Sequence, residues 1–365
     1  MSETSTILVV DDTPENIDVL SGTLRPVYKV KAATNGTKAL QIAQSDNPPD
    51  LILLDVMMPG MDGYETCKQL KSHPRSRHIP VIFITALSGI QDEARGLQLG
   101  AVDYISKPFI PNLVKSRVAN QLELKKHRDR LEELVQARTE EILSLRDITI
   151  EAMGTLAEYR DPETGGHIKR TQNYIKLLAE ALMADRRYAS ELDPESIELL
   201  FKSAPLHDIG KVAIRDHILL KPGKLTPDEM EEMKKHTDYG YESIQTLSNK
   251  LEDSSFLRFA QEIAISHHEK WDGSGYPRGL AGNNIPVSGR LMAIADVYDA
   301  LISRRCYKDP FSHQYAVEFI RKGRGTHFDP VMVDKFLELT EQFRAIALRY
   351  ADHEEEREML QNLAN

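Results

Sequence analysis

The chain has 365 residues, 41% hydrophobic and 28% charged, with a formal net charge of −10, so two or three domains are expected. The negative charge argues against a nucleic acid polymer as partner, and an anionic substrate then needs a local positive centre such as bound cations. No apolar run is long enough to cross a membrane, the opening MSETSTILVVDD lacks the flank of a signal peptide, and two cysteines in different halves make no disulfide framework; a cytoplasmic protein is expected.

Three short apolar runs mark the N-terminal third. Thr6-Ile7-Leu8-Val9-Val10 ends in Asp11-Asp12, Leu51-Ile52-Leu53-Leu54 ends in Asp55, and Val81-Ile82-Phe83-Ile84 ends in Thr85. Such runs predict buried parallel strands. Helical patterns accompany them, as at Gly36 to Ser45 and Gln91 to Gly100, which predicts a doubly wound α/β sheet over residues 1–120. In that architecture the working groups gather at the carboxyl ends of the strands. Asp11, Asp12, Asp55 and Thr85 all fall there, and Lys107 follows Val102-Asp103-Tyr104-Ile105. Crowded carboxylates repel unless a divalent cation joins them, and magnesium suits a few carboxylates with several waters. Asp55 is then placed to attack a phosphoryl donor, with Lys107 and the Thr85 hydroxyl to bond the product. The plainer alternative makes these aspartates helix N-caps.

Residues 121–152 contain no glycine or proline and are rich in Glu, Lys, Arg and Leu, which predicts a helical linker. Leu124, Leu131, Val135, Ile142, Leu145 and Ala152 fall on alternating three- and four-residue steps. That is one seam of a heptad pattern and predicts a coiled coil joining two protomers. Arg128, Arg138 and Thr149 share the seam and weaken it. A single amphipathic helix packed on its own domain is the alternative.

Residues 153–345 read as long helical stretches, among them Ile168 to Met183, Pro194 to Ala204, Pro227 to Lys235 and Gly289 to Ser303, and predict an all-α domain. Potential metal ligands are spread along them. Glu163 and His167 are four apart, His207-Asp208 and His267-His268 are adjacent pairs, and His236 and Asp296 complete the set. Five of twelve histidines with three carboxylates suit iron, manganese or zinc better than calcium, and exceed the needs of one ion. A lone histidine on an apolar face is more often a satisfied core residue, so the weight rests on the combination. Lys211, in the same segment as Asp208, is a candidate to offset substrate charge. Residues 346–365 read as a helical tail with a solvated, frayed end at the acidic Glu354-Glu355-Glu356.

Residues 1–120 resemble a response-regulator receiver domain. The Asp11-Asp12 pair, Asp55 in LLDVMMPGMDG, Thr85 in ITA, Tyr104, and Lys107 in KPF carry the likeness. It implies phosphorylation at Asp55 by a sensor histidine kinase, and magnesium held by Asp12 and Asp55 with Asp11 nearby. The segment His267-His268-Glu269-Lys270-Trp271-Asp272-Gly273-Ser274-Gly275-Tyr276-Pro277, with His207-Asp208-Ile209-Gly210-Lys211, resembles an HD-GYP domain. That family implies a phosphodiesterase acting on cyclic di-GMP with two or three iron or manganese ions. By position, His167, His207, Asp208, His236, His267, His268 and Asp296 are the implied ligands, Asp208 bridging two ions and Glu163 marking a three-ion subset. The family pattern also gives Arg305 and Lys308, alongside Lys211, to the substrate phosphates, although Arg304-Arg305-Cys306-Tyr307-Lys308 replaces an aspartate and a proline of the usual motif. A solvated surface pair is the other reading of Arg305 and Lys308. Gly275-Tyr276-Pro277 is either a loop shaping the site or a docking surface for a protein partner. Another dinucleotide as substrate, or a non-catalytic binding adaptor, are the alternative functions.

Overall fold

The computed structural model describes residues 4–86, 95–160, 166–248, 255–304 and 309–361. The chain divides into two compact units, Met1–Glu140 and Glu141–Asn365. Glu163, Arg305 and Lys308 lie outside the described residues, as does the start of the helix expected from Gln91.

The first unit is built on a parallel sheet. Strands β1 (Thr6–Val10), β2 (Lys29–Ala33), β3 (Leu51–Asp55), β4 (Val81–Thr85) and β5 (Asp103–Ser106) pair in the order β2-β1-β3-β4-β5. Side chains alternate across it, as the pleat requires. Leu8, Val10, Ile52 and Leu54 join one core, while Ile7, Val9, Leu51 and Leu53 join another on the opposite face. β3 and β4 are buried throughout, which is why they read as continuous apolar runs. The edge strand β2, Lys-Val-Lys-Ala-Ala, has only Ala33 fully buried and carries no such run.

A single helix of 50 residues, Pro111–Arg160, contains the whole predicted linker. Val114, Val118 and Leu122 pin its first turns to the sheet core by four-residue steps. Leu124, Leu131, Val135, Ile142 and Leu145 are each more than 60% exposed, so the apolar positions of the seam face solvent.

The second unit is helical. Its main core collects Tyr174, Leu178 and Leu182 from helix Gly166–Leu182, Leu291, Ile294 and Tyr298 from helix Val287–Ile302, and Phe336 and Phe343 from later helices. Tyr174 stacks on Phe343 at 4.7 Å, and the Tyr298 ring meets both edge-on. The expected frayed tail is corrected here: Leu360 of helix Glu354–Gln361 belongs to the main core, and Glu356 is buried. Burial of Glu356 follows from its partners, because its carboxylate accepts from the backbone N–H groups of Arg304, Asp352 and His353.

Candidate phosphoacceptor and metal sites

In the first unit Asp11 and Asp55 are buried at the ends of β1 and β3, beside the exposed Asp12. One oxygen of each lies within 4.8 Å of the others. Asn16 Nδ2 donates to both Asp11 oxygens at 3.0 and 3.1 Å and fixes that carboxylate. Lys107 Nζ sits 2.9 Å from Asp11 Oδ2 and 3.0 Å from Asp55 Oδ1. Burial pushes the Asp55 carboxyl up; Lys107 opposes the rise, and the charges of Asp11 and Asp12 add to it. One ammonium against three carboxylates leaves negative charge that a divalent cation would offset. Thr85 is buried at the end of β4, and its carbonyl accepts from Lys107 N at 2.8 Å. Tyr104 stands on β5 in register with Phe83.

In the second unit the scattered histidines converge. His167 is the second residue of its helix, His207 and Asp208 lie between two 3-10 turns, and His236 opens helix His236–Ser248. His267 and His268 follow helix Ser255–Ser266, and Asp296 lies on helix Val287–Ile302. Ligand atoms of Asp208, His236, His267 and His268 fall within 4.8 Å of one another, and those of His167, His207 and Asp296 do likewise.

Four of the rings are held the same way. His207 Nδ1 donates to Ala204 O at 3.0 Å, His236 Nδ1 to Met233 O at 2.8 Å, and His267 Nδ1 to Ile263 O at 3.0 Å. His167 Nδ1 donates to Asp299 Oδ2 at 2.8 Å. These acceptors put the proton on Nδ1 and leave each Nε2 with a lone pair. All four Nε2 atoms face inward. His207 Nε2 is 3.4 Å from His167 Nε2 and 3.3 Å from Asp208 Oδ2. His236 Nε2 and His267 Nε2 stand 3.2 and 3.5 Å from Asp208 Oδ1. Asp208 Oδ1, His236 Nε2 and His267 Nε2 are buried with no hydrogen-bond partner. Each such atom costs about 1–3 kcal/mol, and lone pairs aimed at one another repel. A cation removes both penalties, so the donor set fits a metal.

The electrostatics agree. Burial would raise the Asp208 carboxyl, but the Lys211 ammonium beside it holds it well below the usual range. Lys211 Nζ is 2.8 Å from Asp208 Oδ2. Burial, with His267 and His236 beside it, keeps His268 neutral. Tyr276 packs on His268 with ring centroids 4.8 Å apart. Glu269, buried, accepts from Arg278 N at 2.8 Å and Leu280 N at 3.0 Å, and so shapes the loop that carries Gly275, Tyr276 and Pro277.

Comparison with known proteins gives two family matches: the response regulator receiver domain over residues 7–119 and the HD domain over residues 151–332. A Vibrio cholerae protein described as "Probable cyclic di-GMP phosphodiesterase" is 50% identical over 359 residues, covering 96% of this chain and 81% of that one. The Xanthomonas campestris "Cyclic di-GMP phosphodiesterase response regulator RpfG" is 37% identical over 309 residues, covering 83% and 78%. A Thermotoga maritima "Cyclic di-GMP phosphodiesterase" is 34% identical over 364 residues, covering 96% and 94%.

The chain belongs to the receiver–HD response regulators. In this response regulator the expected α/β receiver and all-α HD domain are both present. Some residues at the site escaped sequence reasoning. Asp299 and Arg170 are buried beside His167, and Glu158, on the last turns of the long helix, has its carboxylate 3.8 Å from His167 Nε2. For Asp299 a signal existed: it follows Asp296 by three residues, which puts both on one helix face.

Proposed function

We propose that this chain is a response regulator whose output is metal-dependent hydrolysis of cyclic di-GMP, controlled by phosphorylation of Asp55. One observation carries the reading: Asp208 Oδ1, His236 Nε2 and His267 Nε2 are buried, aimed at one another and without hydrogen-bond partners. The shared name of relatives that align along both domains supports the substrate.

His167, His207 and Asp296 would hold one ion and His236, His267 and His268 a second, with Asp208 available to both sets and Glu163 proposed for a third. Iron or manganese is proposed because imidazole mixed with carboxylate suits both. The bound ions supply Lewis-acid polarisation of the phosphodiester and acidification of a water molecule. Lys211, only partly buried, offsets charge on a phosphoryl oxygen, and Arg305 and Lys308 hold the outer phosphate. Tyr276 walls the pocket beside His268, which favours a site-shaping loop over a partner-docking one. Hydrolysis joins the water oxygen to phosphorus as the bond to O3′ breaks and O3′ takes a proton. The first cut gives linear pGpG and a second gives GMP.

The input is a phosphoryl group from a sensor histidine kinase. Asp12 and Asp55 bind magnesium, Asp11 stands nearby, and Lys107 with Thr85 bonds the phosphoryl oxygens. The exposed seam of helix Pro111–Arg160 is assigned to a coiled coil with a second copy of the chain in a cytoplasmic homodimer. The test is direct. Purified protein is analysed for metal and incubated with cyclic di-GMP, cyclic GMP-AMP and pGpG, with products separated by chromatography. The double variant His207→Ala, Asp208→Ala is expected to lose metal and turnover while still accepting phosphate at Asp55. Undiminished hydrolysis by that variant refutes the assignment.

A further inference from the structure

A chain of contacts, buried at His167, Asp299 and Arg170 and ending on the exposed Asp352, leads from His167 to residues far beyond every candidate ligand. His167 Nδ1 meets Asp299 Oδ2, and both side chains are buried. Arg170 grips the same carboxylate with two donors: Nε reaches Oδ1 at 2.7 Å and Nη2 reaches Oδ2 at 3.0 Å. This paired geometry is strong and fixes direction as well as distance. Nη2 also donates to Ser303 Oγ at 2.9 Å. The opposite edge of the guanidinium turns to the C-terminal segment, where Nη1 donates to Tyr350 O at 2.8 Å and Asp352 Oδ2 at 3.0 Å. A buried guanidinium must place all its donors, and here it needs both ends of that chain to do so.

The packing around Gly166 points the same way. A Cβ on Gly166 would fall 2.3 Å from Asp352 Oδ2 and 2.5 Å from both Arg170 Nη1 and Tyr350 O. The residue next to His167 therefore lies directly against the C-terminal segment. Glu356 anchors that segment in turn, accepting from Asp352 N at 3.0 Å and, through its other oxygen, from Arg304 N at 2.9 Å.

We propose that Asp299, Arg170 and Asp352 form a positioning relay that sets the tautomer and aim of His167 toward its metal. The inference rests on the reading that His167 is a ligand. Asp299 accepts the Nδ1 proton, so the Nε2 lone pair points at His207 and Asp296. Arg170 fixes Asp299, and Asp352 fixes Arg170. Outer carboxylates of this kind orient ligand histidines and raise their basicity.

The test uses full-length protein as wild type, Asp299→Asn and Asp352→Asn. Each is stripped with chelator and titrated with manganese alone by calorimetry, and the melting temperature of each metal-free form is measured alongside. Histidine 15N spectra of the metal-free forms, with His167→Gln to identify the signal, report the tautomer. Asp299→Asn is expected to weaken manganese binding at one site by about 10- to 100-fold. Asp352→Asn is expected to weaken it less, with melting temperatures near the wild-type value. Wild-type His167 is expected to carry its proton on Nδ1, and that preference is expected to fade in Asp299→Asn. Wild-type affinity in both variants, or a His167 proton on Nε2, overturns the relay. Affinity that falls only together with the metal-free melting temperature overturns it too. Should Asp299→Asn fail to fold, Asp352→Asn decides. A wild type that binds no manganese counts against the metal reading, while the tautomer measurement still judges the relay.

Discussion

His236 reaches Asp208 because Gly210 lets two stretches of backbone touch. A Cβ at Gly210 would stand 1.9 Å from His236 O and 2.5 Å from Gly240 N, and backbone cannot swing away as a side chain can. Gly210→Ala is expected to cost about 1–3 kcal/mol of stability and to dislodge His236, which urea unfolding and metal analysis would read together. His327 gives a pH prediction. Burial, and then the charge of Lys270, lowers it from 6.5 to about 4, against the pull of Asp272 and Asp296. Its ring stacks on Phe328 at 4.1 Å. A base lowered by folding stabilises above its unfolded value, and that stability is lost as pH falls from 6.5 toward 4. Between about pH 7 and pH 5 the loss is on the order of 2 kcal/mol and is expected to shrink by that amount in His327→Gln. At this scale the clustered residues were legible only as a combination: His207-Asp208 alone is a weak signal, and it gains weight from His167, His236, His267, His268 and Asp296 along the same helical stretch. Arg170 was not legible: a lone arginine in Ile168-Lys169-Arg170-Thr171 looks like a solvated residue, and only its three-dimensional partners bury it.

Among the elements, helix Pro111–Arg160 and helix Glu354–Gln361 teach opposite lessons. The long helix showed its seam in sequence, since a heptad spacing survives whatever packs on it. Ile142 and Leu145 are 66% and 63% exposed, so lysines there remain in solvent. The double variant Ile142→Lys, Leu145→Lys is expected to sediment as a monomer where the wild type sediments as a dimer; an unchanged sedimentation coefficient would dispose of the coiled coil. The C-terminal helix hid its role. Three consecutive glutamates signal a wet surface, and nothing local distinguishes Glu356, which turns inward to take backbone N–H groups, from its neighbours. The edge strand β2 was illegible for a related reason, since its lysines sit where an interior strand would carry apolar residues.

For the whole molecule, the parallel sheet was legible because its interior strands are apolar on both faces, and the helical domain because strand-like alternation is missing. Control of one by the other is the behaviour to measure. Beryllofluoride, which mimics the phosphoryl group on Asp55, is expected to change the rate of cyclic di-GMP cleavage severalfold, and Asp55→Asn is expected to abolish the response. An identical rate with and without the fluoride would separate the two halves functionally. The contact of Arg170 with Tyr350 and Asp352 has one more consequence. Synthesis runs from the N-terminus, and early domains fold while later ones are still being made. The sheet that ends in Asp55 is therefore finished long before the pocket, and the Tyr350–Asp352 stretch against Arg170 is translated after all the candidate ligand histidines. A message cut short within that interval yields a protein that still hears its kinase and has nothing to answer with.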